Sequence, residues 1–128
     1  MNTALEKRRM LGKLRGDPVG HDFVGRELMV GDLIVYGATN SGGTSVFKAG
    51  LILGVDHVRG RHSELKIISY VPRSVAGYRW QDLPGWTRAH GRPRLKHSHC
   101  RAMLWPDPPE DLAEMVEHDR LTLMELFR

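Results

Sequence analysis

Two histidines and the only cysteine of the chain lie within four residues, in the stretch RLKHSHCRAML. His97, His99 and Cys100 are of the types that bind zinc, which usually takes four ligands in a structural site. In a regular strand His97 and His99 would share one face, about 6.5 to 7 Å apart, and Cys100 would face the other way. No Cys-x-x-Cys or His-Glu-x-x-His motif supplies further ligands. We therefore expect no metal and no cofactor, with Cys100 as a small buried hydrophobe.

The same stretch also contains the parts of a histidine-dependent nuclease. His97 and His99 could act as general acid and base, and Lys96 and Arg101 could stabilise the charge on a phosphate. Cys100 has no base directed at it, because adjacent residues of a strand diverge. Many basic strands contain these residue types without activity. We predict that the protein is not an enzyme, and a histidine-dependent or metal-dependent nuclease is the less favoured alternative.

A basic segment surrounds these histidines. No acidic residue occurs between Leu83 and Pro106, whereas this segment has five lysines and arginines. Basic side chains neutralise phosphates, and indole rings can stack on unpaired bases. A solvated basic rim, or a surface that pairs with the acidic tail of the chain, would have the same composition. We predict a contact with nucleic acid, DNA or RNA, through Arg88, Arg92, Arg94, Lys96, His97, His99, Arg101, Trp80 and Trp86.

Length, charge and composition limit the class of protein. A chain of 128 residues with 41% hydrophobic residues suits one domain with a packed core. Residues 107–128 hold seven acids and two arginines, a net charge of −5, so the other residues carry +9 of the total of +4. With a single cysteine, no apolar run near about 20 residues and no apolar N-terminal stretch, we expect a cytoplasmic protein without membrane contact.

The patterns along the chain predict a mainly β protein. ELMVGDLIVYG, SVFKAGLILGVDHV, ELKIISYV and RLKHSHCRAMLW are strand candidates. Short strands without intervening helices favour an antiparallel sheet that closes into a small barrel. Thr3 and Glu6 have capping-box spacing, and Asp107 before two prolines marks the start of a C-terminal helix. We predict an N-terminal helical arm over residues 1–15, a barrel over 16–106 and an acidic helix over 107–128.

The succession VGDLIVYG, a glycine-bearing loop, KAGLILGVD and ELKIIS resembles the opening of SH3-like barrels. With the C-terminal PDPPEDLAEMVEH, residues 28–117 also resemble small phage-encoded proteins of this type. The resemblance implies an SH3-like antiparallel barrel that acts as a binding module for nucleic acid, peptides or transcription machinery. It implies no catalytic residues.

The C-terminal helix favours a second hypothesis, a protein–protein adaptor or inhibitor that acts on a host complex. Its last residues are rich in apolar side chains, which either cover the open end of the barrel or form a surface for a partner. The acidic helix or the loop of residues 37–44 would then carry recognition. The candidate partner-binding residues are Leu123, Met124 and Phe127.

Overall fold

The computed structural model describes residues 19–39, 45–58, 62–73, 85–89, 91, 94–96 and 102–126. This part of the chain forms eight strands and one helix. Their bounds are β1 (Gly20–His21), β2 (Glu27–Leu28), β3 (Leu33–Thr39), β4 (Ser45–Val58), β5 (His62–Pro72), β6 (Trp86–Arg88), β7 (Arg94–Lys96), β8 (Ala102–Leu104) and α1 (Glu110–Leu126). The predicted helical arm of residues 1–15 lies outside the described residues.

The described strands form a two-stranded hairpin, β1–β2, and a six-stranded sheet. The sheet has the order β6–β5–β4–β3–β8, and β7 also pairs with β5. Every described strand pair is antiparallel. The prediction of a mainly β protein with antiparallel pairing and a C-terminal helix is confirmed. The described sheet does not close into a barrel, because β8 lies at one edge and β6 and β7 lie at the other without a ladder between them.

The last predicted strand, RLKHSHCRAMLW, is divided between the two edges of the sheet. Its first part is β7, which pairs with β5, and its last part is β8, which pairs with β3. The two described ends of this predicted strand therefore pair with different strands. His97, His99 and Cys100 come between the two strands and lie outside the described residues, so the predicted alternation of their side chains stays a prediction.

Strand β4 is buried on both faces, and a bulge in it changes which residues share a face. Its register with β5 shifts between Ile52 and Gly54, which marks one extra residue in β4. Before the bulge, Leu51 packs into the core beneath α1, whereas Ile52 packs into a second core on the other face. Beyond the bulge Val55 packs against that second core. The apolar side chains of β4 therefore change face at the bulge.

Helix α1 is held on the sheet by a stripe of buried apolar residues. Leu112, Val116 and Leu123 recur at helical spacing and pack with Leu51 and Tyr70. Leu112 is 0% exposed, and Leu123 is 8% exposed. Among the described residues, no helix is long and apolar enough to cross a membrane.

A buried carboxylate attaches the β1–β2 hairpin to β8. Asp22 is 3% exposed and accepts hydrogen bonds from the backbone N–H groups of Val24 (3.1 Å), Arg26 (2.8 Å) and Leu104 (3.0 Å). It also accepts one from Arg26 Nε at 2.8 Å. Burial raises the pKa of Asp22, but the hydrogen bonds and the guanidinium charge outweigh burial, and the pKa lies below its usual value. Asp22 is therefore charged when it joins the hairpin to the sheet.

Candidate nucleic-acid interface

Basic positions of three strands line up along one edge of the sheet. Strands β6 and β7 both pair with the same edge of β5, one after the other. Because residues of a strand alternate between faces, the even-numbered positions of β5 and their partners belong to one face. This is the face that carries α1, since Tyr70 of β5 packs beneath the helix. The register pairs are Arg88 with Tyr70, Arg94 with Lys66 and Lys96 with Glu64.

We call Lys66, Arg88, Arg94 and Lys96 the basic strip. Its two ends pair with Glu64 and Tyr70, which are six positions apart on β5, a length of about 20 Å at the usual rise of a strand. Lys66 is exposed at the surface. For Arg94 and Lys96 the structure describes the backbone, which places both at the sheet edge opposite β5. The strip thus collects three of the predicted nucleic-acid contacts and adds Lys66, which the sequence reasoning did not include.

Arg88, at one end of the strip, is held by the acidic helix. Its Nε and Nη2 donate to Asp119 Oδ2 at 3.0 Å and Oδ1 at 2.8 Å. The hydroxyl of Tyr70 donates to the same Asp119 Oδ2 at 2.5 Å. Hydrogen bonding to Asp119 raises the pKa of Arg88, whereas burial first and the Asp119 carboxylate second raise the pKa of Tyr70. The Arg88 side chain is nevertheless 45% exposed, against 11% for Asp119.

Trp86 connects the sheet edge to the helix through packing. Its backbone N–H donates to Asp111 Oδ2 at 2.8 Å, and its ring meets Trp105 edge to face at a centroid distance of 5.5 Å. The indole is partly buried against the core beneath α1. Gly85, with φ of +93°, allows this contact, because a Cβ there would stand 2.9 Å from Asp111 Oδ2. Trp86 therefore has a packing role in addition to the stacking role predicted for it.

The remaining predicted site residues fall into two groups. Leu123 lies in the core beneath α1, so a partner could reach it only if the helix left the sheet. For Met124 the structure describes the helical backbone alone. The predicted residues outside the described part of the chain are Trp80, Arg92, His97, His99, Arg101 and Phe127. Within the described part, no group of three or more His, Cys, Asp or Glu residues could hold a metal ion.

The sequence did not predict that Asp111 and Asp119 of α1 would contact β6. Asp111 and Asp119 lie eight residues apart, so they occupy one flank of α1 and both face β6. The charge difference between residues 107–128 and the rest of the chain was the available signal. It indicated that the tail could pair with the body, without indicating which residues would meet.

Comparisons with protein-family models, curated proteins and solved structures find no match to this chain. The resemblance to SH3-like barrels and to phage-encoded proteins therefore stays a prediction from the sequence.

Proposed function

We propose that this protein is a non-enzymatic binding module that contacts nucleic acid through the basic strip. The observation that supports the proposal is the register of β5, β6 and β7, which aligns Arg88, Arg94 and Lys96 with Lys66 on one face. Such a row of cations at a sheet edge can follow a phosphate backbone, with each phosphate contact releasing bound counterions. The expected binding is sensitive to salt and weakly selective for sequence.

The ion pair between Arg88 and Asp119 weakens phosphate binding at this end of the basic strip but does not prevent it. An ion pair with an exposed partner contributes at most about 1 kcal/mol, so a phosphate can compete for the half-exposed guanidinium. Asp119 would still repel a phosphate at this end of the strip, because its carboxylate lies within 3.0 Å of the guanidinium. Glu64 lies opposite Lys96 at the other end, so each end of the strip has one acid beside it, and we expect the cations to contribute comparably to affinity.

The test measures fluorescence anisotropy of labelled single- and double-stranded DNA and RNA over a range of salt concentrations. Lys96→Ala is expected to weaken binding at low salt and to lower the slope of log affinity against log salt by about 1. The double variant with Arg94→Ala should lower the slope by about 2. Lys48→Ala is the matched control, because Lys48 lies opposite Tyr36, which belongs to the second core on the other face.

A second pair of variants tests the role of the helix. Asp119→Asn removes the negative charge beside Arg88 and is expected to strengthen binding by a few-fold. Glu114→Gln removes the same charge from an exposed position on α1 and should change the affinity less. The proposal fails if no nucleic acid binds in a salt-dependent way, or if Lys96→Ala and Lys48→Ala have equal effects.

A protein–protein adaptor or inhibitor is the second candidate function. Exposed large apolar side chains favour it, since Phe23 and Val24 in the turn after β1 are 69% and 57% exposed and Phe47 on β4 is 73% exposed. Co-purification from nuclease-treated lysate that is lost in Phe23→Ser and Phe47→Ser would favour this candidate over the basic strip. Cleavage of the labelled oligonucleotides that is lost in His97→Ala and His99→Ala would favour the nuclease alternative.

A further inference from the structure

A cavity of about 320 Å³ lies between α1 and the β3–β8 edge, on the side of the helix away from the basic strip. Its wall is mainly apolar and includes Leu33, Leu104, Trp105 and Val116. The volume falls in the range of small-molecule sites, and apolar walls with a few polar groups are the usual composition of such sites. The proposed nucleic-acid contact makes no use of this cavity.

Three carboxylates and one guanidinium border the cavity: Asp32, Asp107, Glu117 and Arg120. Arg120 is 8% exposed and already bound within the protein. Its Nε donates to the carbonyl oxygen of Gly31 at 2.8 Å, and its Nη1 donates to Glu117 Oε2 at 2.7 Å. The border carries an excess of negative charge, because one cation stands against three acids. Glu117 is paired with Arg120, and Asp32 is 2% exposed and accepts the backbone N–H of Met29 at 2.9 Å, so Asp107 is the exposed carboxylate that a ligand would meet.

The surrounding chain adds to this excess. Apart from the three border residues that it contains, the segment of residues 107–128 has five acids and one arginine, a net charge of −4, and Asp107 in the cavity lining is exposed. An anion in the cavity would meet these carboxylates at short range, whereas a cation would be attracted by them. The indole of Trp105 can favour a cation further through the negative face of its ring.

We infer that the cavity binds a guanidinium head group on an apolar stem. The stem would pack against Leu33, Leu104 and Trp105, and the planar fork of the head group suits carboxylates better than an ammonium does. Such a group could come from a free alkylguanidine or from an arginine side chain of another protein. The inference does not depend on the basic strip, which lies along the opposite flank of α1.

The experiment titrates n-butylguanidinium, acetyl-Gly-Arg-Gly-amide and pentanoate into the full chain at low salt. Isothermal calorimetry measures binding, and tryptophan fluorescence gives a second signal, to which Trp105 in the cavity wall contributes together with Trp80 and Trp86. We expect saturable binding of n-butylguanidinium with a change in fluorescence, and none of pentanoate. Tighter binding of the peptide than of n-butylguanidinium assigns the group to a partner protein, and the reverse order assigns it to a free small molecule.

Three variants locate the site. Asp107→Asn is expected to weaken binding of n-butylguanidinium by about 3- to 5-fold, the effect of one exposed charge. Glu114→Gln, which removes the same charge outside the cavity lining, should weaken it by less than about 2-fold. Ala113→Phe fills the cavity without changing the charge and should abolish binding while circular dichroism shows that the fold is kept.

The inference is overturned if neither guanidinium probe binds in a saturable way, or if pentanoate binds as tightly as they do. Equal losses in Asp107→Asn and Glu114→Gln would also overturn it, because they would indicate a general charge effect rather than a site. Binding that survives Ala113→Phe would place the probe elsewhere on the protein. These outcomes are separate from those of the nucleic-acid test, which uses other ligands and shares only the control variant Glu114→Gln.

Discussion

The two flanks of α1 meet the sheet in opposite ways. On the flank that faces β6, Asp111 and Asp119 reach across to the backbone of Trp86 and to the guanidinium of Arg88. On the flank that faces β3 and β8, Arg120 donates to the backbone of Gly31 and to Glu117 of its own helix, and a cavity remains beside them. One flank is closed by contacts between the acidic helix and the basic strand, whereas the other leaves a space with an acidic border.

The two flanks differ in where the acidic side chains of α1 find their partners. Asp111 and Asp119 find partners on a neighbouring strand, because β6 places a backbone N–H and an arginine within their reach. Glu117 has its partner three residues along the same helix, which is a usual spacing for ion pairs on a helix surface. The cavity lies beside this pair of Glu117 and Arg120 on the side of α1 that faces β3 and β8.

Shortening one residue of the buried apolar stripe of α1 should have the largest effect on stability. Leu112→Ala deletes a side chain that is 0% exposed and should lower the free energy of unfolding by about 2–5 kcal/mol. Because both flanks depend on the same docked helix, the ion pair of Arg88 and the cavity should be lost together. Urea denaturation and the titration with n-butylguanidinium measure the two effects. Leu121→Ala, at a residue that is 44% exposed, is the control and should cost much less.

The two arginines provide a sharper comparison of the flanks. Arg120 is buried and bonds a backbone carbonyl, so Arg120→Ala should destabilise the fold by about 1.5–3 kcal/mol by leaving that carbonyl without its donor. Arg88 forms a half-exposed ion pair, so Arg88→Ala should cost about 1 kcal/mol or less, and added salt should reduce the difference from wild type. If urea denaturation shows that Arg88→Ala and Arg120→Ala lower the free energy of unfolding equally, this contrast between the two arginines is wrong.

The secondary-structure elements that could be predicted from the sequence are those whose apolar residues recur at a regular spacing. The alternation of β4 and β5 and the helical spacing of Leu112, Val116 and Leu123 each indicate their element without reference to distant residues. The predicted C-terminal helix is present, but it begins at Glu110, three residues after the predicted cap Asp107, and Pro109 O accepts the backbone N–H of Ala113. Local patterns thus predicted the fold class and the acidic helix.

The features that could not be predicted from the sequence depend on contacts between residues that are far apart along the chain. The division of RLKHSHCRAMLW follows from β7 pairing with β5 and β8 pairing with β3, which no alternation within the stretch can indicate. The bulge of β4 is likewise defined only against β5. The same holds for the candidate site. The basic segment could be recognised in the sequence, but the ion pair of Arg88 with Asp119 could not, because these residues are 31 positions apart.

The wall of the cavity on the β8 side depends on a charge, and this leads to a smaller, pH-dependent effect. Asp22 holds Leu104, which lines the cavity, through its backbone N–H. Asp22→Asn keeps an acceptor for Val24 and Arg26 but cannot accept from Leu104 with its new amide, so it should cost about 1–2 kcal/mol at neutral pH.

The sign of the pH effect follows from the lowered pKa of Asp22. Its folded value lies below the unfolded value of 3.8, so its contribution to stability is fully present above that pH. The contribution is lost as the pH falls through the folded pKa. Wild type should therefore lose more stability than Asp22→Asn on acidification, and the two should approach each other in acid urea denaturation. A constant difference at all pH values would mean that packing of the hairpin, rather than the Asp22 charge, secures the β8 side of the cavity.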